Sequence, residues 1–447
     1  MVNNNFYSES IEMSRGTLGT TRANFLEIQT IDRPINAEIT IPTSKSLTHR
    51  SLIIASLAKG TSKITNPLIA EDTLLTLQAL QAMNVPITKL HSDFLIEGTA
   101  GKLQAPCSPL FLENSGTSLR LLTTIASLIP NPTILTGNKD LKERPIHDLL
   151  KGLQQLGVKS EFLGEKGKLP IKICSQLHGG ITRMRGDISS QFISSLLISA
   201  PYAKKDITII PTTPLKSEPY IRLTIEIMKE FGIMVKRTNN RFQVKAGQRY
   251  SAKDYSVEGD FSSASYFLAA AAILGGVIRI SNLNWESQQA DRVILEYLER
   301  MGCTIQQNNN DIQVERDPDE PLEGLSVDMH NCPDIVPTIA IIACFASSPT
   351  IIRNIAHLKF KETDRLAAIT TELEKLGVNV QSTDDSLKIF PLKKIPSKVL
   401  IETYNDHRIA MSFAIAGLKI PGITIKNPTC VKKSFPNFFE VLLQLYP

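Results

Sequence analysis

The sequence predicts an α/β protein of two similar domains, each carrying three copies of one unit, and three observations lead there. A polar turn followed by a helix of small and apolar residues recurs six times, about 72 residues apart. A second, amphipathic series of helices, each followed by a short strand, interleaves with the first. The 447 residues also exceed what one ordinary core serves.

The first series begins near Lys45 ("SKSLTHRSLIIASLA"), Thr117 ("SGTSLRLLTTIASLI") and Ser189 ("SSQFISSLLISAPYA"). It begins again near Ser262 ("FSSASYFLAAAAILGG"), Asp334 ("PDIVPTIAIIACFASS") and Asp406 ("NDHRIAMSFAIAGL"). These helices are apolar on most faces, which implies burial. The second series includes "DLLKGLQQLG", where Leu149, Leu150, Leu153 and Leu156 form one face of a 3.6-residue period. Gly157, Gly232, Gly302 and Gly377 read as its C-terminal stops. The final "FFEVLLQLYP" reads as a sixth copy cut off by the chain end. Six such units fit a closed or solenoid array, but this length divides more naturally into two three-unit domains, with the break near "YSVEGD" (255–260).

Composition narrows the function. Hydrophobic content of 42% and charged content of 21% are those of a globular protein, and a net charge of +5 is no nucleic-acid signature, though it favours anionic ligands. Cysteines 107, 174, 303, 332, 344 and 430 show no metal spacing and read as reduced thiols in a cytoplasmic setting. The longest apolar run, 266–278, is too short for a membrane span. Residues 1–23 lack a signal core and read as a disordered extension, with Met13 an alternative start.

The first turns of the apolar helices hold the unusual polar residues. They are Lys45, Ser46 and Arg50; Asn114, Ser115, Gly116, Thr117 and Arg120; Ser189, Ser190 and Gln191; Asp334; and Asp406, His407 and Arg408. Taken singly, each is an ordinary N-cap beside a solvated charge. Their recurrence would aim several positive helix ends at one place, which suits phosphate. "KERPI" (142–146) and "KFKETDR" (359–365) add cations interspersed with carboxylates. Such a mixture suits a multiply anionic substrate whose chemistry needs proton transfer.

With these motifs in chain order, together with "SEPYI", "EGDFSSASYFLAAA", "NDHRIAM" and "KKSFPNFF", the chain resembles the EPSP synthase (3-phosphoshikimate 1-carboxyvinyltransferase) family from about Leu26 to Pro447. The resemblance implies the enolpyruvyl transferase fold, two domains of three βαβαββ copies, with the active site in the cleft between them. It implies a C-terminal-side domain of 24–43 plus 257–447 and an N-terminal-side domain of 44–256. It further implies transfer of the enolpyruvyl group of phosphoenolpyruvate to the 5-hydroxyl of shikimate 3-phosphate, without metal or cofactor. The expected protein is a monomer acting on these two small molecules, with no nucleic-acid or membrane partner.

Carried over by motif position, Lys45, Gly116, Arg144, Gln191, Arg365, Arg408 and Lys433 would bind phosphoenolpyruvate. Lys45, Ser46, Arg50, Ser189, Ser190, Ser217, Tyr220, Asp334 and Lys361 would bind shikimate 3-phosphate. Asp334 would take the hydroxyl proton, Glu362 and Lys433 would move protons at the methylene carbon, and Lys45 completes the catalytic set. Asp364 is left as local charge balance. His357 stands where some members have Asn, open between a ligand contact and a solvated loop residue. Leu121 stands where many have Pro, one turn after Gly116. The family's inhibitor glyphosate shares the donor pocket. The rivals are the sister enzyme acting on UDP-N-acetylglucosamine, which usually carries a cleft cysteine, and a non-catalytic anion-binding module. The absence of cysteine around "KERPI" argues against the first, and the acid–base set against the second.

Overall fold

The computed structural model describes residues 24–308 and 311–446, so the expected extension at 1–23 lies outside the described residues. The predicted apolar helices form six inner helices, Lys45–Leu57, Gly116–Ala126, Ser190–Ser199, Phe261–Leu274, Val336–Ala343 and His407–Gly417. Every residue of the fourth is buried, as a helix apolar on all sides requires. The amphipathic series forms the outer helices, among them Glu71–Ala82, His147–Gln155, Glu218–Glu230 and Arg365–Lys375. Gly157, Gly232, Gly302 and Gly377 each follow an outer helix with φ between +78° and +102°, the left-handed stop that a side chain would strain.

Each unit contributes one small sheet. In the second, Leu110–Phe111 runs parallel to Thr133–Thr136, Thr133–Thr136 pairs antiparallel with Ile171–Ile173, and Ser160–Phe162 completes the edge. The parallel pair is bridged by the inner helix and the outer helix leads into the antiparallel pair, giving the order βαβαββ. The first, fourth and sixth units borrow strands from distant parts of the chain. Ile35–Thr40 lies parallel to Gly276–Ser281 in the fourth unit's sheet, and Tyr255–Ser256 lies parallel to Lys59–Thr65 in the first unit's sheet. The truncated sixth copy is completed by Phe25–Glu27, antiparallel to Ile423–Lys426.

Two apolar cores result. One gathers Leu47–Val257, and the other gathers Leu26–Ile41 with Phe261–Leu445. The chain passes between them twice, side by side. Thr43 bridges Gly259, Ser44 N–H donates to Glu258 O, and Asp260 N–H donates to Pro42 O. We propose that the domains follow these cores, as 44–256 and as 24–43 with 257–447. Among the described residues, no helix is long and apolar enough to cross a membrane.

Candidate active site

Five inner helices point their first turns, or the turn just before, at one cleft. Ser44, Ser115, Ser189 and Asp406 are N-caps whose side chains accept from the first-turn N–H groups. Capping thus fixes the backbone that carries Lys45, Gly116, Ser190 and Arg408. Asp334 sits in the short 3-10 turn Pro333–Ile335 that leads into the fifth inner helix. Arg365 opens an outer helix, and Asp364 caps it by accepting from Ala367 N–H at 3.1 Å. Its leftover charge is therefore a cap.

All sequence-predicted site residues except Gly116 and Lys433 line this cleft. Gly116 stands behind the wall: a Cβ added to it would meet Arg144 Nη1 at 2.6 Å. Lys433 is buried beside it, donating to Asn114 O at 2.6 Å.

The geometry centres on Arg365. Its Nε donates to Asp406 Oδ2 at 2.7 Å, Nη1 to Asp334 Oδ1 at 2.9 Å and Nη2 to Glu362 Oε2 at 2.6 Å. Arg408 Nη2 holds the other oxygen of Asp334 at 2.9 Å, and Lys361 Nζ lies 3.7 Å from Oδ1. Arg144 Nη2 faces Glu362 Oε1 at 3.4 Å. Arg120 donates to Gln191 Oε1 at 2.8 Å, and Gln191 donates to Thr117 Oγ1 at 2.9 Å, which aims the amide. Arg50 is pinned by Thr224 Oγ1 at 2.7 Å and Ser46 O at 2.8 Å.

These contacts set the protonation states. Burial alone would raise Asp334, but Arg408, Lys361 and Arg365 hold it well below the usual carboxylate range. Glu362 behaves likewise, burial being outweighed by Arg144, Arg365 and Lys433. Burial lowers Lys433, with Asp72 opposing and Arg144 assisting, and burial lowers Lys361 as well.

Sequence reasoning missed Asp72. It lies in the first turn of an outer helix, where an acidic residue reads as complement to the helix dipole. In the fold its Oδ2 accepts from Lys45 at 3.2 Å and its Oδ1 pairs with Lys433 at 3.3 Å, across the two cores. Burial opposes ionisation, yet Lys433 and Lys45 bring it down to about 2. Lys216 also lines the cleft with no signal in the sequence, as does His407, one of the first-turn polar residues, for which the sequence implied no role. His357 is 4% exposed, with both ring nitrogens unpartnered among the described residues, so it is no solvated loop residue. Burial, with Lys361 next, drives it down to about 3. Leu121 is buried inside the second inner helix.

The sequence profile described as "EPSP synthase (3-phosphoshikimate 1-carboxyvinyltransferase)" matches residues 29–442. The chain belongs to the EPSP synthase family. A Methanoculleus marisnigri protein named 3-phosphoshikimate 1-carboxyvinyltransferase is 42% identical over 412 residues, covering 92% of this chain and 96% of its own length. A Nostoc protein of the same name is 41% identical over 419 residues, covering 93% and 97%. Among solved structures, EPSP synthase from Acinetobacter baumannii superposes with a TM-score of 0.78 at 28% identity, over 94% of this chain and 98% of that one. The EPSP synthase fold thus extends along almost the whole described chain.

Proposed function

We propose how the cleft performs the reaction of this family. The enolpyruvyl group of phosphoenolpyruvate is transferred to the 5-hydroxyl of shikimate 3-phosphate, with release of phosphate, in aromatic amino acid biosynthesis. The observation that carries the assignment is the clamp on Asp334 and Glu362. Arg365 bonds both carboxylates, Arg408 bonds one, and Arg144 faces the other. Substrate phosphate and carboxylate groups compete for those same guanidinium groups. A cation turned toward substrate no longer stabilises the enzyme's own carboxylate, so Asp334 and Glu362 become stronger bases once both substrates are bound.

In this reading Arg365 and Arg408 fork the donor's carboxylate, which planar guanidinium suits. Lys45, Arg144, Gln191 and Lys433 hold its phosphate, with Gly116 behind Arg144. Ser46, Arg50, Ser189, Ser190, Ser217, Tyr220 and Lys361 hold shikimate 3-phosphate. Asp334 removes the 5-hydroxyl proton as that oxygen bonds to C2 of phosphoenolpyruvate, and the methylene carbon takes a proton from the Lys433–Glu362 pair. Elimination returns that proton to the pair and breaks the bond to phosphate. A lysine lowered by burial gives up its proton more readily near neutrality. The chain is read as a monomer of the cytoplasm.

The test is phosphate release by the purified protein. Release should require phosphoenolpyruvate and shikimate 3-phosphate together and should persist with a chelator. Dependence on UDP-N-acetylglucosamine instead of shikimate 3-phosphate, or on added divalent metal, would overturn the reading.

A further inference from the structure

Behind the cleft lies a carboxyl group that the mechanism above does not use. Asp291 sits in the short turn Ala290–Val293 and is 2% exposed. Among the described residues its Oδ1 has no hydrogen-bond partner. Its Oδ2 accepts from the hydroxyl of Ser262, in the first turn of the fourth inner helix. The same Oδ2 lies 3.5 Å from the Tyr220 hydroxyl, which is also 3.5 Å from Asp334 Oδ2. One phenolic proton therefore stands between two carboxyl groups, and it serves one of them at a time.

We propose that Asp291 is a positioning residue for Asp334: its protonation decides which carboxyl the Tyr220 hydroxyl serves, and so how strongly Asp334 takes the substrate's proton. The inference rests on the reading of Asp334 as the base. When Asp291 is ionised it draws the Tyr220 O–H and places a second negative charge beside Asp334. Both effects raise the proton affinity of Asp334. When Asp291 is neutral, Tyr220 donates to Asp334 and steadies its carboxylate, leaving a weaker base. The surroundings put this change near neutrality. Burial, with Asp334 next, pushes Asp291 up to about 7; Asp260 adds to the rise, while Arg408 and the Ser262 bond oppose it. The Cys332 thiol also faces Asp291, and its burial keeps it protonated throughout that range. The two acids are coupled, so the pair titrates together.

Infrared difference spectroscopy on the whole ligand-free protein, between about pH 5 and 9, reads the carboxyl directly. A protonated-carboxyl band that titrates near neutrality in the wild type and disappears in Asp291→Asn is expected. A band that survives the substitution, or none in the wild type, overturns the proposal. Kinetics give a second reading. Wild-type kcat should rise through neutrality, whereas Asp291→Asn should lose that rise and fall roughly 3- to 10-fold at about pH 8, with both KM values little changed. A merely structural role would lower activity equally at every pH, and that result would also overturn it. Adding Asp291→Asn to Tyr220→Phe should change the pH profile less than Asp291→Asn does alone, because only the direct effect of its charge then remains. Should Asp291→Asn fail to fold, Ser262→Ala removes a bond that favours the ionised form, so the band and the kinetic rise should move together to higher pH. No movement in that variant overturns the proposal. Asp334→Asn separates the two readings: retained activity would reject Asp334 as the base, while an Asp291 carboxyl band should persist and titrate at lower pH, because the charge of Asp334 no longer raises it.

Discussion

Gly116→Ala is the sharpest perturbation the cleft offers. The added methyl would stand 2.6 Å from Arg144 Nη1 and 3.3 Å from Cδ. Carbon contacts are comfortable at about 3.5–4.0 Å, so the guanidinium must retreat by roughly 1 Å. The obstructing group is the end of a flexible side chain rather than backbone, so the helix is kept and the cost falls on what Arg144 binds. Overpacking of a tight site costs about 1–3 kcal/mol, or roughly 5- to 150-fold in affinity. The glyphosate inhibition constant should rise by that order, with a smaller rise in KM for phosphoenolpyruvate, because the longer inhibitor has less room to follow the retreat. The assay is competitive inhibition against phosphoenolpyruvate at saturating shikimate 3-phosphate. Arg144→Ala supplies the control: with the obstructing group gone, Gly116→Ala should add little. Equal changes in both constants, or undiminished effects on the Arg144→Ala background, would refute the reasoning.

Three further outcomes follow from the same geometry. Asp334→Asn and Glu362→Gln preserve size but remove basicity, and should lower kcat by roughly 10²–10⁴-fold while binding persists; more than about a tenth of wild-type kcat in either would reject that residue's role. Asp72→Asn leaves the buried Lys433 and the half-buried Lys45 without their shared anion and should cost about 3–5 kcal/mol in urea unfolding, the loss of a buried pair's partner, and an unchanged midpoint would count against it. His49 is fully buried, and burial lowers it from 6.5 to about 3, so between those values the unfolded chain binds a proton that the folded one refuses. His49 thereby makes acid favour unfolding across that window, by about 2 kcal/mol between about pH 6.5 and 5, and His49→Gln should make the dependence shallower by that share, the buried His357 and His407 keeping theirs. Parallel stability curves for the two proteins would exclude His49 as a source.

What the sequence made legible was whatever repeats or caps. The even spacing exposed the six inner helices because a helix apolar on every face has no other place than a core. Their polar first turns stood out because small caps followed by Lys, Arg or Gln are rare in such runs. Asp72 and Asp291 were hidden by the same logic inverted. An acid at a helix start, or one in "SQQADRV", has an ordinary solvated explanation, and only tertiary packing turns it into a buried partner. The neighbour of Gly116 was hidden in a similar way. Sequence placed the glycine on the donor pocket, whereas the fold puts Arg144 between it and the cleft. Nor does spacing reveal which strand pairs with which, since Ile35–Thr40 alternates buried and exposed residues as any half-buried strand does.

The two side-by-side chain crossings have a consequence in time. Residues 44–256 hold every strand of their three sheets and can close as they leave the ribosome, whereas the other half is made in two instalments. At about 5–20 residues per second, the strand Ile35–Thr40 waits roughly 10–50 s for Gly276–Ser281, and Phe25–Glu27 waits longer still for Ile423–Lys426. Through that interval Ile35, Ala37 and Ile39 form an apolar strand face with no sheet to join. Synthesis rate, and whatever shields a nascent strand, therefore bear on the yield of this chain as well as its final stability.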